Sequence, residues 1–264
     1  MSERYICVQK IETIEKRFNI TTGAGFAFEP SYNISPGKFA PVITNEKPKE
    51  LQLYQFGLTP FWAKERMYLF NARAEGDRNK ENDEHYTGAK AIVMKPAFRK
   101  PIRSQRCLVI ADAFIEGSAI EKLNKPYVVY LKDNVRPFAF AGIWDRWESG
   151  DGEIVYSFAI ITTVANALMK KIGCDRLPVI LPRNRETAWL NNNLALADVT
   201  RYLQPYPAKL MNAYPISIDI KNPKAEGRQL LEPVGQRIEI ESEVKMKLDL
   251  NQNHMAWGQR GFKH

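Results

Sequence analysis

The fold is constrained first by a close succession of short strand-like runs separated by turn signals. Tyr127–Leu131, Phe138–Ile143 and Ser157–Thr162 each read as a strand, and the turns between them carry Asp133-Asn134 and Ser149-Gly150-Asp151-Gly152. "RCLVIADAFIEG" reads as a further strand with a polar end. "LYQFGLTPFW" reads as a strand running into a proline-broken aromatic loop, and Leu210–Ile218 as a late strand. Helical spacing is confined to a few segments. Ile11, Ile14 and Phe18 make residues 10–19 an amphipathic helix, and 166–172 and 185–203 read as two more. Strands and helices mix without a regular βαβ alternation. This predicts an α+β fold around one sheet or barrel.

The 264 residues suffice for one large domain or two small ones. With 44% apolar and 26% charged residues, disorder is not the default. No apolar run approaches the roughly 18 residues of a membrane span. "MSERYICVQK" lacks a signal-peptide apolar core, so a cytoplasmic protein is expected. Three cysteines (Cys7, Cys107, Cys174) show no paired spacing, which suits a reducing compartment. Three histidines in polar surroundings, without HExxH or CxxC, argue against a zinc site. The net charge of +8 favours a polyanionic partner such as nucleic acid, with solubility alone as the plainer reading.

Several short stretches carry candidate chemistry, each with a bland alternative. In "FNARAEG", Asn71, Arg73 and Glu75 alternate, so an extended chain puts them on one face. Asn71 can anchor a carbonyl and Arg73 can clasp a phosphate; a solvated strand face is the alternative. "ADAFIEG" places Glu116 among apolar neighbours, where desolvation would raise its pKa toward the range useful for acid–base work. An exposed strand-end Glu is the alternative. "TPFWAKER" sets Phe61 and Trp62 among cations, suited to stacking on bases or simply to core packing. "KPAFRKPIRSQR" gathers Lys95, Arg99, Lys100, Arg103 and Arg106 around Phe98, either tracking a phosphate backbone or lying solvated. Residues 77–90 are polar and read as a surface excursion. The segment from about 236 to 264 reads as an appendage.

Taken in order, "YNISPG", "FGLTPFWA", "NARAE", "RCLVIADAFIE", "FAFAGIWDRW", "IITTVAN" and "DRLPVIL" resemble the SRAP family of abasic-site processing proteins over roughly residues 1–235. The resemblance implies a single α+β domain, a mixed sheet with a small barrel-like core and surrounding helices, over 1–235, with 236–264 as a C-terminal extension of the same domain. It implies a monomer that binds single-stranded DNA at abasic sites, with no cofactor, no metal and no membrane, cytoplasmic and nucleoid-associated when bound. It further implies that the initiator methionine is removed and that residue 2 reacts with the sugar aldehyde. Carried onto this chain, the roles fall on Asn71, which positions the opened sugar, and on Glu116, the proton shuttle. Arg4 and Arg73 fall on phosphate contacts, and Pro36 and the Phe61-Trp62 pair on strand-wedging loops. Arg99 and Arg176 complete the expected DNA-binding set.

Two positions depart from the family pattern. Ser2 replaces the usual cysteine nucleophile, and Glu3 the usual glycine. Cys7 cannot substitute, because a thiazolidine needs amine and thiol on one residue. Ser2 retains an α-amine able to form a Schiff base. "KKIGCDRLPVIL", Lys170–Leu181, puts Cys174 in the family's histidine slot beside Asp175 and Arg176. A thiol with a pKa of about 8.5 is a poorer proton carrier at neutral pH than histidine. A weakened proton-transfer site is expected, with a nucleophile activated by Arg176 as the alternative. Three readings therefore stand: an abasic-site sensor with imine-level crosslinking or lyase chemistry, an impaired paralogue that only binds single-stranded DNA, and an autoproteolytic thiol peptidase.

Overall fold

The computed structural model describes residues 3–83 and 85–240. In chain order the elements are β1 (Arg4–Cys7), α1 (Ile11–Phe18), β2 (Thr21–Thr22), β3 (Ser31–Ile34), β4 (Phe39–Thr44), β5 (Glu50–Phe56), β6 (Asn71–Arg73), α2 (Pro101–Ser104), β7 (Arg106–Ala111), β8 (Ala113–Ser118), β9 (Lys122–Leu131), β10 (Phe138–Glu148), β11 (Ile154–Val164), α3 (Ala167–Lys171), β12 (Arg176–Pro178), β13 (Ile180–Leu181), α4 (Arg183–Leu190), α5 (Leu196–Arg201) and β14 (Met211–Pro215).

The architecture grows from the β10–β11 hairpin. Its turn uses Gly152 at φ 88°, a left-handed backbone that glycine adopts without steric cost. The antiparallel ladder then runs from Glu148 opposite Ile154 to Gly142 opposite Ile160. β10 pairs with β7, β7 with β4 and β4 with β5, all antiparallel. β5 then meets β11 in parallel through Gln55–Ser157 and Phe56–Phe158, which closes the five strands into a barrel. Gly142 permits the closure, since a Cβ there would come within 2.7 Å of both Cys107 Sγ and Val109 Cγ2. Beyond Gly142 and Ile160 the hairpin strands part. Val179 enters the gap, donating to Ile161 O at 2.8 Å and accepting from Ala141 N at 2.8 Å. β12 therefore lies on β11 and β13 on β10.

A second sheet, in the order β14–β9–β8–β1–β3, is antiparallel throughout. "RCLVIADAFIEG" supplies a strand to each sheet rather than the single expected strand, because Asp112 turns the corner. Its carboxylate accepts the backbone N–H groups of Val8 (2.6 Å) and Gln9 (3.2 Å). Burial raises the Asp112 pKa despite these donors. The two sheets share an aromatic core. Tyr5 of β1 packs edge-on against Phe56 at 5.5 Å and Phe140 at 6.0 Å, and Phe56 stacks on Phe158 at 5.2 Å. Such pairs contribute about 0.5–1.5 kcal/mol each beyond area burial.

The helices are few and short. α1 buries Ile14 and ends at Asn19, whose left-handed backbone (φ 53°) directs its N–H to Glu15 O. The helix expected over 185–203 is two helices. Asn191 breaks it by accepting the backbone N–H of Asn193 on its own side chain at 3.0 Å. β9, β10 and β11 are longer than expected, and β14 stops at Pro215. The start of the C-terminal extension is tied to β14: Asn212 donates to Glu239 O at 2.9 Å, and Ile238 N to Ala213 O at 2.8 Å. The remainder of that extension lies outside the described residues.

Candidate functional site

β6 lies parallel to β11, with Asn71 opposite Ile160 and Arg73 opposite Thr162. Ala72 and Ala74 point inward and are fully buried, so Asn71 and Arg73 share the other face. The Oδ1 and Nδ2 atoms of Asn71 are both buried and have no hydrogen-bond partner among the described residues. A buried amide without a partner costs about 1–3 kcal/mol per group, and native proteins keep such groups for a reason.

Glu75 does not continue the Asn71–Arg73 face. It turns into the protein and is fully buried. Its carboxylate meets Arg176 Nη2 at 2.8 Å, Lys90 Nζ at 3.3 Å and the Thr163 hydroxyl at 2.9 Å. Burial by itself would raise the Glu75 carboxyl, but Arg176, a backbone N–H and Lys90 outweigh it and hold it below the usual carboxylate range. Arg176 also donates to Thr162 O at 2.8 Å, and burial lowers its own pKa. Arg176 is therefore a mostly buried cation whose Nη2 is taken by Glu75 and Thr162. Asn82 joins it to Arg73: Arg73 Nη2 donates to Asn82 Oδ1 at 2.9 Å and Arg176 Nη1 to the same oxygen at 3.3 Å.

Glu116 lies on β8 and is 2% exposed. The next residue, Gly117, forms a bulge against β9, where a Cβ would run into the Lys122 carbonyl. The bulge leaves the Gly117 carbonyl free to accept the thiol of Cys174 at 2.7 Å. Burial pushes the Cys174 thiol up, and the nearby charges of Glu116 and Asp175 push it further. The thiol is thus protonated at neutral pH, and Arg176, engaged by Glu75, does not activate it. β1 runs antiparallel to β8 with Arg4 opposite Ile115, the neighbour of Glu116. Ser2 lies outside the described residues. Arg4 is largely buried, donating to Asn33 Oδ1 at 2.9 Å and Lys221 O at 2.8 Å.

A second group of candidates forms one surface. Thr59 N donates to Ser157 Oγ at 2.9 Å, Phe61 N to Asp145 Oδ2 at 2.9 Å, and the Trp147 indole to Ala63 O at 2.7 Å. The loop's backbone is thereby fixed to the barrel, while the Phe61 and Trp62 rings remain 52% and 48% exposed. Lys100 Nζ sits 4.4 Å from the Phe61 ring centroid, and the Trp62 indole donates to Pro96 O at 3.4 Å. The aromatic loop and the basic stretch, separate in sequence, are neighbours here, with Arg99 exposed beside them. The other cations of that stretch are occupied. Arg106 is fully buried and donates to Trp189 O, Ile102 O, Arg103 O and Asn191 O at 2.7–3.0 Å. Lys95 pairs with Asp77, and Arg103 donates to Val93 O. Pro36 stands half-buried in the β3–β4 turn, where a Cβ on Gly37 would approach the Tyr68 ring at 3.8 Å.

Sequence reading missed Asn82, Lys90 and Thr163. Asn82 and Lys90 belong to the polar 77–90 excursion, where nothing in composition separates a clasping residue from a solvated one. A cleft of about 450 Å³ between α4, α5 and residues 204–207 contains none of the candidates. Among the described residues no group of acidic, His and Cys side chains could hold a metal, and no helix is long and apolar enough to cross a membrane.

Fold and site together define a barrel-centred α+β protein with clustered arginines and solvent-facing aromatics, a class suited to a polyanionic strand. The family described as SOS response associated peptidase (SRAP) matches residues 1–223, and the chain belongs to it. It is similar to the abasic site processing protein YoqW of Bacillus subtilis (strain 168), 34% identical over 239 residues, covering 88% of this chain and 99% of the relative. It is likewise similar to the abasic site processing protein YoaM of the same organism, 36% identical over 211 residues, covering 78% and 86%. A crystal structure of a protein from Bacteroides thetaiotaomicron shares the fold with a TM-score of 0.72 at 27% identity, over 89% of this chain and 100% of that one.

Proposed function

We propose that this chain processes abasic sites in single-stranded DNA, with residue 2 as the group that meets the lesion aldehyde. Removal of Met1 frees the Ser2 α-amine. The amine adds to the aldehyde carbon, water leaves, and an imine links protein to DNA. The observation that carries this reading is the Asn71 amide, whose two polar atoms are buried without partners among the described residues, on the same strand face as Arg73. An opened sugar supplies both a donor and an acceptor. Glu116, on β8 beside β1, serves as proton shuttle, and Arg73 and Arg176 hold phosphate. Arg4, expected on phosphate, instead spends its guanidinium on Asn33 and the Lys221 carbonyl and anchors β1. Phe61 and Trp62 stack on bases, Pro36 wedges the DNA strand, and Arg99 meets the backbone. The relatives named abasic site processing proteins support the same assignment. The protein acts as a monomeric domain over 1–235 carrying the 236–264 extension, in the cytoplasm and on the nucleoid when bound.

Cys174 favours a second reading, an impaired paralogue that binds DNA without reacting, since its bonded, protonated thiol is a poor proton carrier. The same thiol argues against a general thiol peptidase. Intact-protein mass spectrometry separates the two main readings. The protein is incubated with a single-stranded oligonucleotide carrying one abasic site, with and without borohydride. An adduct trapped by borohydride is the expected result. No adduct from protein lacking Met1 would move the assignment to the binding-only paralogue.

A further inference from the structure

Asn82 brings one neutral oxygen between two guanidinium groups. Its Oδ1 accepts from Arg73 Nη2 at 2.9 Å and from Arg176 Nη1 at 3.3 Å. The two cations come from distant parts of the sequence, β6 and β12, and a single loop side chain spans them. Arg176 and Lys90 meet the buried Glu75 carboxylate. Asp77 lies within electrostatic reach of Arg73 and Asp175 of Arg176. The group placed between the two guanidinium groups is nevertheless a neutral amide oxygen.

The Arg73 guanidinium is also only half used. A phosphate is clasped in two-point fashion along the Nε–Nη2 edge. Here Asn82 occupies Nη2, while Nε is buried and has no partner among the described residues. The backbone of Asn82 is left-handed, with φ 56°. Asparagine tolerates this conformation better than most residues, and it aims the amide at the arginine pair.

We propose that Asn82 holds the place of a DNA phosphate oxygen between Arg73 and Arg176, and that a phosphate of the bound strand displaces it. The inference rests on the reading of these arginines as strand contacts. Asn82 thereby sets the affinity of the seat. It keeps the two guanidinium groups converged when no strand is bound, and it yields to a ligand that offers a charge and two oxygens. Single hydrogen-bond acceptors compete poorly, because they cannot fill the Arg73 edge and reach Arg176 together.

The test uses the full chain and two substitutions, Asn82→Gly, which removes the side chain and suits the left-handed backbone, and Asn82→Asp, which keeps shape and adds charge. Fluorescence anisotropy follows binding of a lesion-free thymidine oligonucleotide across a NaCl series. Asn82→Gly is expected to bind about tenfold tighter, the order of one hydrogen bond to a charged group that need not be broken, with an unchanged salt slope. Asn82→Asp is expected to bind more weakly, because its carboxylate stays on the arginines. Equal or weaker binding by Asn82→Gly, or a shallower slope, would overturn the proposal and make Asn82 a structural support. A parallel borohydride assay on an abasic oligonucleotide keeps the two ideas apart. If no adduct forms but the binding order holds, the lesion chemistry fails and the seat stands. If the unsubstituted protein binds no oligonucleotide, the seat fails along with the DNA reading.

Discussion

Cys174 donates its thiol proton to the carbonyl of Gly117 across 2.7 Å, one residue past the buried carboxylate of Glu116. The bond places a neutral, fixed group where the family pattern carries a histidine. It also makes the thiol state a measurable property of the fold.

Cys7, Cys107 and Cys174 are all buried, and burial pushes each thiol pKa up. Native protein should therefore resist iodoacetamide at pH 8 and take up three labels once unfolded, as read by intact mass. The linkage has a definite sign. In the unfolded chain these thiols ionise near pH 8.5, while the native state keeps its protons. Their contribution to stability is complete below that pH and is lost as pH rises above it. The melting temperature should fall above about pH 9, less steeply in Cys174→Ser; native labelling of Cys174 would contradict the buried, protonated assignment.

Glu75 is the counter-charge for Arg176, so Glu75→Ala strands a buried cation. The expected loss is about 3–5 kcal/mol in urea unfolding at pH 7. The carboxyl is held below its ordinary range, so its contribution is present above about pH 4.3 and disappears as pH falls through the folded value. Acidification should destabilise the unsubstituted protein more than Glu75→Gln. Equal acid sensitivity would remove Glu75 from this role.

Phe61 and Trp62 project into solvent from a loop whose backbone is pinned. Alanine at either position should weaken single-strand binding by about 1–3 kcal/mol, the value of one base stacked on an aromatic ring. Stability should change by less than about 0.5 kcal/mol, as for other exposed sites. A large loss of stability with binding intact would assign the rings to packing.

Arg99 and Arg106, seven positions apart, should behave oppositely. Arg99→Ala should leave melting unchanged and make the salt dependence of DNA binding shallower by about 0.7 in log–log slope, one phosphate contact on a single strand. Arg106→Ala should unfold the protein readily, because it strips four carbonyls of their buried donor. Binding titrations and thermal melts on both variants decide it.

Ser2→Cys should convert a borohydride-dependent adduct into a heat-stable one, since amine and thiol on one residue close a five-membered ring with the aldehyde. Glu116→Gln should slow adduct formation. Rates unchanged by Glu116→Gln would free that residue of its proton role, and a Ser2→Cys variant without stable adduct would locate the defect at Cys174 or Glu3.

The sequence alone located β5, β7, β9, β10, β11 and β14, though not β1 to β4, together with the helix at 11–18 and the aromatic–proline loop, because the located elements depend on local periodicity and turn chemistry. It also determined the family, because seven short motifs keep their order along the chain. It placed Asn71, Arg73 and Glu116 on strands by the same local rules. Local rules failed where partners lie far apart in sequence. Nothing near Asp112 announces that it turns one apolar run into strands of two sheets, since its donors, Val8 and Gln9, are about a hundred positions away. Nothing near Arg176 or Arg106 distinguishes a buried cation from an open one; Glu75 and the carbonyls of Trp189 and Asn191 decide that. The state of the Cys174 thiol depends on a bulge at Gly117, and the arginine pair depends on Asn82, a residue of a polar loop. Charge burial and hydrogen-bond pairing are settled by which distant groups closure of the barrel brings together, and only the tertiary structure supplies that.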